Sequence, residues 1–152
     1  MLLKGLFDRL LFGPNARLFT YELDILAAVR AKLGQSASHR LDAQLQYLPY
    51  RQRQDGGRIL AFFPGKRNPM PAEILFDNTQ ELCFAVVELR RLKETDKLLT
   101  AQLYAVNRRF FSIEYDMTPS LKGFQDGTQT IVTNVRINAD LETPQSTGKN
   151  GS

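Results

Sequence analysis

Pro49 divides the chain into two regions in which apolar residues repeat with different periods. Before Pro49 the repeat follows one side of a helix, and after it the apolar residues alternate or run together between turn residues, as in strands. Helices that precede strands joined by short turns are typical of the α+β class. The sequence therefore predicts about three N-terminal helices packed on one face of a mainly antiparallel sheet of six to seven strands.

Two of the helical segments have clear ends. Residues 2–12 place apolar side chains along one side and stop at Gly13-Pro14, and residues 16–33 repeat this pattern up to Gly34. Glycine commonly closes a helix because it adopts positive φ without strain. We therefore expect an amphipathic N-terminal helix followed by a core helix.

Residues 38–48 fit two interpretations, a helix and an alternating strand. Ser38 can cap the free amides of a first helical turn. Pro49 ends a helix more readily than it sits inside a strand. We favour the helix.

The strands of the second region are separated by residues that prefer turns. Asp55-Gly56 and Asn107 tolerate the positive φ of tight turns, and each lies between two segments with the pattern of strands, which predicts two hairpins. The predicted strands cover residues 50–54, 58–63, 72–76, 82–92, 98–106, 110–116 and 129–141.

Length and composition indicate one domain. A chain of 152 residues with 43% hydrophobic residues buries enough surface for a single core. We place this domain at residues 1–141 and expect a flexible tail at 142–152, which lacks large apolar side chains. The lone cysteine forms no internal disulfide, and no apolar stretch reaches the ~20 residues of a membrane-spanning helix, so we expect a cytoplasmic protein.

Few residues of the chain suit catalysis. With one histidine, His39, and one cysteine, Cys83, the sequence offers no zinc cluster and no Cys-His pair, and it carries no phosphate-binding or hydrolase motif. We expect no metal and no cofactor. His39 is expected to face solvent, and Cys83, between Leu82 and Phe84, is expected to be an inert thiol.

The formal net charge of +4 arises in the first 53 residues, which hold eight basic and four acidic residues. These basic residues are spread too thinly for a phosphate-binding stripe, so nucleic-acid binding is the least favoured hypothesis. It would use Arg51, Arg53, Arg58, Lys66 and Arg67.

Two segments, LDAQLQYLPYRQRQDGGRILAFF (41–63) and LLTAQLYAVNRRFFSIEYD (98–116), resemble small bacterial α+β proteins of unassigned function. Some of those proteins are presumed accessory or immunity-type partners. Arg108 stands where their hairpins tend to have glycine. The resemblance implies the fold and brings no catalytic residue with it.

We therefore expect a non-enzymatic protein that binds another protein through its sheet and hairpin surface, as an immunity-type inhibitor does. Arginine and aromatic residues dominate the energetics of such interfaces. The expected binding residues are Arg90, Tyr104, Arg108, Arg109 and Phe110.

The alternative is a small-molecule-binding protein or enzyme with a cavity between the sheet and the helices. Glu88 and Glu114 interrupt apolar strands, and together with Tyr115 they could supply polar groups at its mouth. Whether the two glutamates share a face of the sheet depends on a register that the sequence leaves open.

Overall fold

The computed structural model describes residues 17–65, 69–95, 97–139 and 141, which form two α-helices and a six-stranded antiparallel sheet. The α+β class is thereby confirmed. The helix predicted at 2–12 and the tail predicted at 142–152 lie outside the described residues. The elements are α1 (Thr20–Lys32), α2 (Gln35–Gln46), β1 (Tyr50–Gln54), β2 (Ile59–Phe63), β3 (Leu82–Arg91), β4 (Leu98–Val106), β5 (Arg109–Tyr115) and β6 (Thr130–Ile137).

The strands are ordered β1-β2-β5-β4-β3-β6 across the sheet. Strands β3, β4 and β5 form a meander, to which the β1–β2 hairpin adds on one side and β6 on the other. The turn between β4 and β5 has positive φ at Asn107 and Arg108, 51° and 66°. Arg108 therefore occupies a conformation in which glycine would be unstrained.

Two β-bulges in the meander change which residues face the core. Tyr104 pairs with Ser112 but Ala105 pairs with Phe110, so Phe111 is an extra residue on β5. A second bulge lies between Cys83 and Ala85 on β3. Because of the first bulge, Phe110 enters the core on the same side as Ile113 and is fully buried.

Both helices bury their apolar sides in a single core with one face of the sheet. Helix α1 packs against β6 and β3, and α2 packs against β5. Ile25 and Val29 of α1 and Leu41 of α2 are fully buried. Each such side chain contributes about 1.5–3 kcal/mol relative to an exposed one.

The helix interpretation of 38–48 is confirmed, but its proposed start is wrong. Helix α2 begins one turn earlier, at Gln35, and Gly34 is its N-cap residue with a φ of −59°. Gly34 therefore opens α2 instead of closing α1 in a left-handed conformation. Ser38 lies inside the helix, where its N–H donates to the Gly34 carbonyl.

The strand predicted at 72–76 is absent from the structure. Residues Ala72–Ile74 form a single 3-10 turn after Pro71. The Ile74 carbonyl accepts a hydrogen bond from Gln44 Nε2 at 2.6 Å, and the Phe76 N–H donates to the Arg108 carbonyl at 2.7 Å. These bonds attach the segment to α2 and to the β4–β5 turn, and none of the described strands pairs with it.

Candidate functional site

The face of the sheet that points away from α1 and α2 carries most of the side chains that the sequence singled out. We call it the open face. It is defined by alternate residues of the central strands: Ile59, Phe63, Val86, Glu88, Arg90, Thr100, Gln102, Tyr104, Phe111, Ser112 and Glu114.

The centre of the open face is aromatic. The rings of Phe63 and Phe111 meet edge to face, with centroids 6.0 Å apart. Tyr104 lies opposite Ser112, whose side chain is fully buried. The Tyr104 hydroxyl donates to Gln102 Oε1 at 3.2 Å. The face thus presents half-buried rings with a polar margin, the composition that protein interfaces favour.

Both glutamates that interrupt apolar strands lie on the open face. Glu88 is opposite Thr100, and Gln102, two residues further along β4, is opposite Glu114. Within the described residues neither carboxylate takes part in an ion pair. Each is half-buried, and Glu114 accepts only a long hydrogen bond of 3.4 Å from the Ser112 hydroxyl.

The five predicted binding residues fall into different environments. Arg90 and Tyr104 lie on the open face, and Arg109 lies at its end, opposite Val106. Arg108 is exposed in the turn, where its Nε donates to the Phe76 carbonyl at 2.8 Å.

Phe110 needs correction, because it is fully buried and cannot contact a partner. The bulge in β5 exchanges the faces of the sheet on which two neighbouring residues lie. It turns Phe110 into the core and places Phe111 on the open face instead.

The three residues predicted for a cavity do not come together. Glu88 and Glu114 share the open face, whereas Tyr115 follows Glu114 directly and therefore points to the helix side, where it is 1% exposed. Its hydroxyl forms no hydrogen bond within the described residues. A single cavity cannot be built from all three.

Two of the basic residues proposed for nucleic-acid binding form ion pairs within the described structure. Arg53 pairs with Glu22 on the helix side, and Arg58 pairs with Asp55 in the β1–β2 turn. Lys66 and Arg67 lie outside the described residues.

Sequence reasoning missed a buried ion pair between α1 and β1. Glu22 Oε1 accepts hydrogen bonds from Arg53 Nη2 at 2.5 Å and from the Phe19 N–H at 2.6 Å. The exposed fractions of the two side chains are 1% and 11%. Burial raises the pKa of the Glu22 carboxyl above its ordinary value, and Arg53 opposes that rise. The only signal in the sequence is a glutamate at the third position of α1, where it reaches back to the helix start.

Cys83 is paired with Tyr104 of the open face in the β3–β4 ladder and is half-buried. Burial raises the pKa of its thiol, while hydrogen bonds with Asn138 and the Ala85 carbonyl act in the opposite direction. A raised pKa leaves less thiolate at any given pH.

We expect Cys83 to react with iodoacetamide more slowly in the folded protein than in the same protein unfolded in urea. The alkylation rate should keep rising as the pH passes 9.0, the ordinary thiol value. Mass spectrometry of timed samples measures both rates. A rate that levels off below that pH would contradict the expectation.

His39 is exposed on α2, as expected from the sequence. Among the described residues no group of three or more histidine, cysteine, aspartate or glutamate side chains could hold a metal ion. No helix within those ranges has the length and apolar character needed to cross a membrane. Comparison of the chain with protein-family models, with curated proteins and with solved structures finds no match.

Proposed function

We propose that this protein is a non-enzymatic binding protein that holds another protein against the open face. The observation that supports this function is the aromatic centre formed by Phe63, Phe111 and Tyr104 on a face against which neither described helix packs. Rigid rings on a sheet contribute contact area at low cost in side-chain entropy. An immunity-type inhibitor works in this way, because it only has to cover the surface of its target.

The charges on the open face specify the partner further. Glu88 and Glu114 are half-buried carboxylates without an ion-pair partner among the described residues. The Arg90 guanidinium on the same face is directed to the carbonyls of Arg91 and Leu92. The partner surface should therefore be apolar at its centre and carry lysine or arginine side chains that meet the two carboxylates.

Site-specific crosslinking tests this proposal. A photoreactive p-benzoylphenylalanine replaces Phe111 on the open face or, as the matched control, Leu23 on α1, which is 50% exposed. The chain is irradiated in the cells that produce it. We expect position 111 to capture a different protein through a lysine- or arginine-containing segment, and position 23 to capture none.

Charge reversal makes the test specific. The double substitution Glu88→Lys and Glu114→Lys should reduce the yield of the crosslink about ten-fold, because it places like charges across the interface. Glu73→Lys, at an exposed glutamate of the 72–74 turn, serves as the control and should leave the yield unchanged. Equal capture at both positions, a crosslink to a second copy alone, no crosslink, or insensitivity to the double reversal would each refute the proposal.

A further inference from the structure

A pocket of about 400 Å³ lies on the helix side of the sheet, between the start of α1, the β1–β2 turn and the loop after β5. A cavity of ~150 Å³ lined by apolar side chains already holds a benzene ring, so this pocket has room for more than one large apolar side chain. Three aromatic rings, a proline and two glycines form most of its wall. The lining residues are Phe19, Tyr21, Arg53, Gly56, Gly57, Pro119, Ser120, Phe124, Gln125 and Asp126.

The walls of the pocket are apolar and are held by the core, because their rings belong to the core or pack on it. The rings of Tyr21 and Phe124 meet edge to face with centroids 5.8 Å apart, and the half-buried Phe19 ring contacts Tyr21 at 5.9 Å. Leu121, the residue after Ser120, is 74% exposed, the largest fraction among the large hydrophobic side chains that the structure describes. An apolar segment placed here would remove this surface from water, which is favourable.

The described chain begins at the rim of this pocket. The Arg17 carbonyl accepts a hydrogen bond from Arg53 Nη2 at 2.9 Å, and the Arg17 guanidinium pairs with Asp126. Thr20 is attached to the same loop, since its N–H donates to Asp126 Oδ1 at 3.2 Å and its hydroxyl accepts from the Gly127 N–H at 3.2 Å. The part of the chain before Arg17 is therefore connected at the edge of the pocket.

Sixteen residues precede Arg17 in the sequence, and they lie outside the described residues. Their pattern predicts an amphipathic helix at residues 2–12, with Leu3, Leu6 and Leu10 at the centre of its apolar side. A helix of this length is marginal in water by itself, so it needs a surface on which to pack.

The connection to Arg17 lets this segment reach the pocket. Residues 13–16 separate the two, and the path from Phe12 to Arg17 spans at most ~18 Å when extended. Gly13-Pro14 favours a turn at this point. A segment tethered by so short a connection has an effective concentration on the order of millimolar at a nearby site. The tether thus favours the chain's own segment over any unlinked apolar partner.

From these observations we infer that the pocket is the docking site of the chain's own N-terminal segment, residues 2–12. Leu6 and Leu10, one helical turn apart, enter the pocket beside Phe19 and Phe124, and the charged side of the segment stays in water. A small molecule could then enter the pocket only by displacing the segment. The inference does not depend on the protein contact proposed for the open face, because the two surfaces lie on opposite sides of the sheet.

Paramagnetic broadening of amide NMR signals in the full chain tests the inference. A nitroxide is attached at Asp8→Cys, on the charged side of the segment, in a chain whose only natural cysteine is removed by Cys83→Ser. We expect the signals of Gly56, Gly57 and Gln125 to lose most of their intensity. Signals of the β4–β5 turn, at the opposite end of the sheet, should keep theirs. Chemical reduction of the nitroxide supplies the reference intensities.

Two pairs of variants test the contact from both sides. Leu10→Glu should restore most of the lost intensity, because burying an unpaired carboxylate opposes docking. Lys4→Glu introduces the same residue on the charged side of the segment and should leave the broadening unchanged. Ser120→Trp narrows the pocket from its rim and should restore the intensity, whereas Ser36→Trp, at an exposed serine of α2, should not.

A mixture of chains distinguishes docking within one chain from docking into a second copy. Spin-labelled chain at natural isotope abundance is mixed with isotope-enriched chain that carries no label, and we expect no broadening in this mixture. Broadening in the mixture, absence of broadening at the pocket in the labelled chain, or broadening centred on the open face would each overturn the inference. Broadening that survives Leu10→Glu or Ser120→Trp, or that Lys4→Glu or Ser36→Trp abolishes, would overturn it as well.

Discussion

Replacing Glu22 with leucine is expected to lower the free energy of unfolding by about 3–5 kcal/mol, because it leaves Arg53 buried without its carboxylate. Only 11% of the Arg53 side chain is exposed, so water compensates little for the lost carboxylate. The substitution also removes the acceptor of the Phe19 N–H at the start of α1. Urea unfolding of the two proteins measures the loss.

The double variant Glu22→Leu, Arg53→Met should recover most of that stability, since a buried apolar pair has no unpaired charge. Asp42→Ala is the matched control, because Asp42 pairs with Arg30 at 2.9 Å on the surface, where the side chains are 50% and 39% exposed. Asp42→Ala should lower the free energy of unfolding by less than about 1 kcal/mol. If Glu22→Leu lowers the free energy of unfolding no more than Asp42→Ala does, burial does not determine how much the Glu22–Arg53 pair contributes to stability.

Phe110→Ala is expected to destabilise the protein by about 3–5 kcal/mol through the cavity it leaves. The Phe110 ring contacts those of Phe62 and Phe84, at centroid distances of 4.7 and 6.2 Å, in the middle of the core. The free energy of unfolding from urea titration measures the loss.

Phe111→Ala provides the comparison from the neighbouring residue. Phe111 is half-buried on the open face, and its loss should cost about 1 kcal/mol, the scale of a cross-strand aromatic pair. Similar losses of stability for the two variants would contradict the finding that the bulge places the two rings on opposite faces of the sheet. The reverse order, with Phe111 the more costly, would place the two rings on the faces that strict alternation assigns.

The hairpins were predictable because their signals are local. Asp55-Gly56 and Asn107 mark the two turns, and the structure places strands on both sides of each. The strand predicted at 98–106 has the observed bounds of β4. Such turn residues prefer the required backbone conformation by themselves, so these features follow from the local sequence.

The errors arise where a bulge or a distant contact decides the structure. Alternation alone places Phe110 on the same face as Glu114, and only the bulge at Phe111 reverses this. Residues 72–76 look like a strand, but Gln44 of α2, thirty positions earlier, binds the Ile74 carbonyl and holds a 3-10 turn.

The functional features also differ in whether the sequence alone could predict them. The open face follows from alternation once the register is known, so Glu88, Tyr104 and Glu114 could be nominated from the sequence. The buried ion pair between α1 and β1 could not. Glu22 and Arg53 are 31 positions apart, and no local pattern connects them.

The attachment of α1 also has a consequence for folding during synthesis. Thr20 is bonded to Asp126 and Asp24 to Thr130, and each of these bonds joins residues 106 positions apart. Closing so long a loop is entropically costly, whereas β3, β4 and β5 are connected by short turns. Although α1 leaves the ribosome before any strand, its most extensive contact, with β6, cannot form until β6 has been synthesised. The nascent chain therefore carries a partly apolar helix that lacks its main packing partner until the last strand of the sheet has been translated.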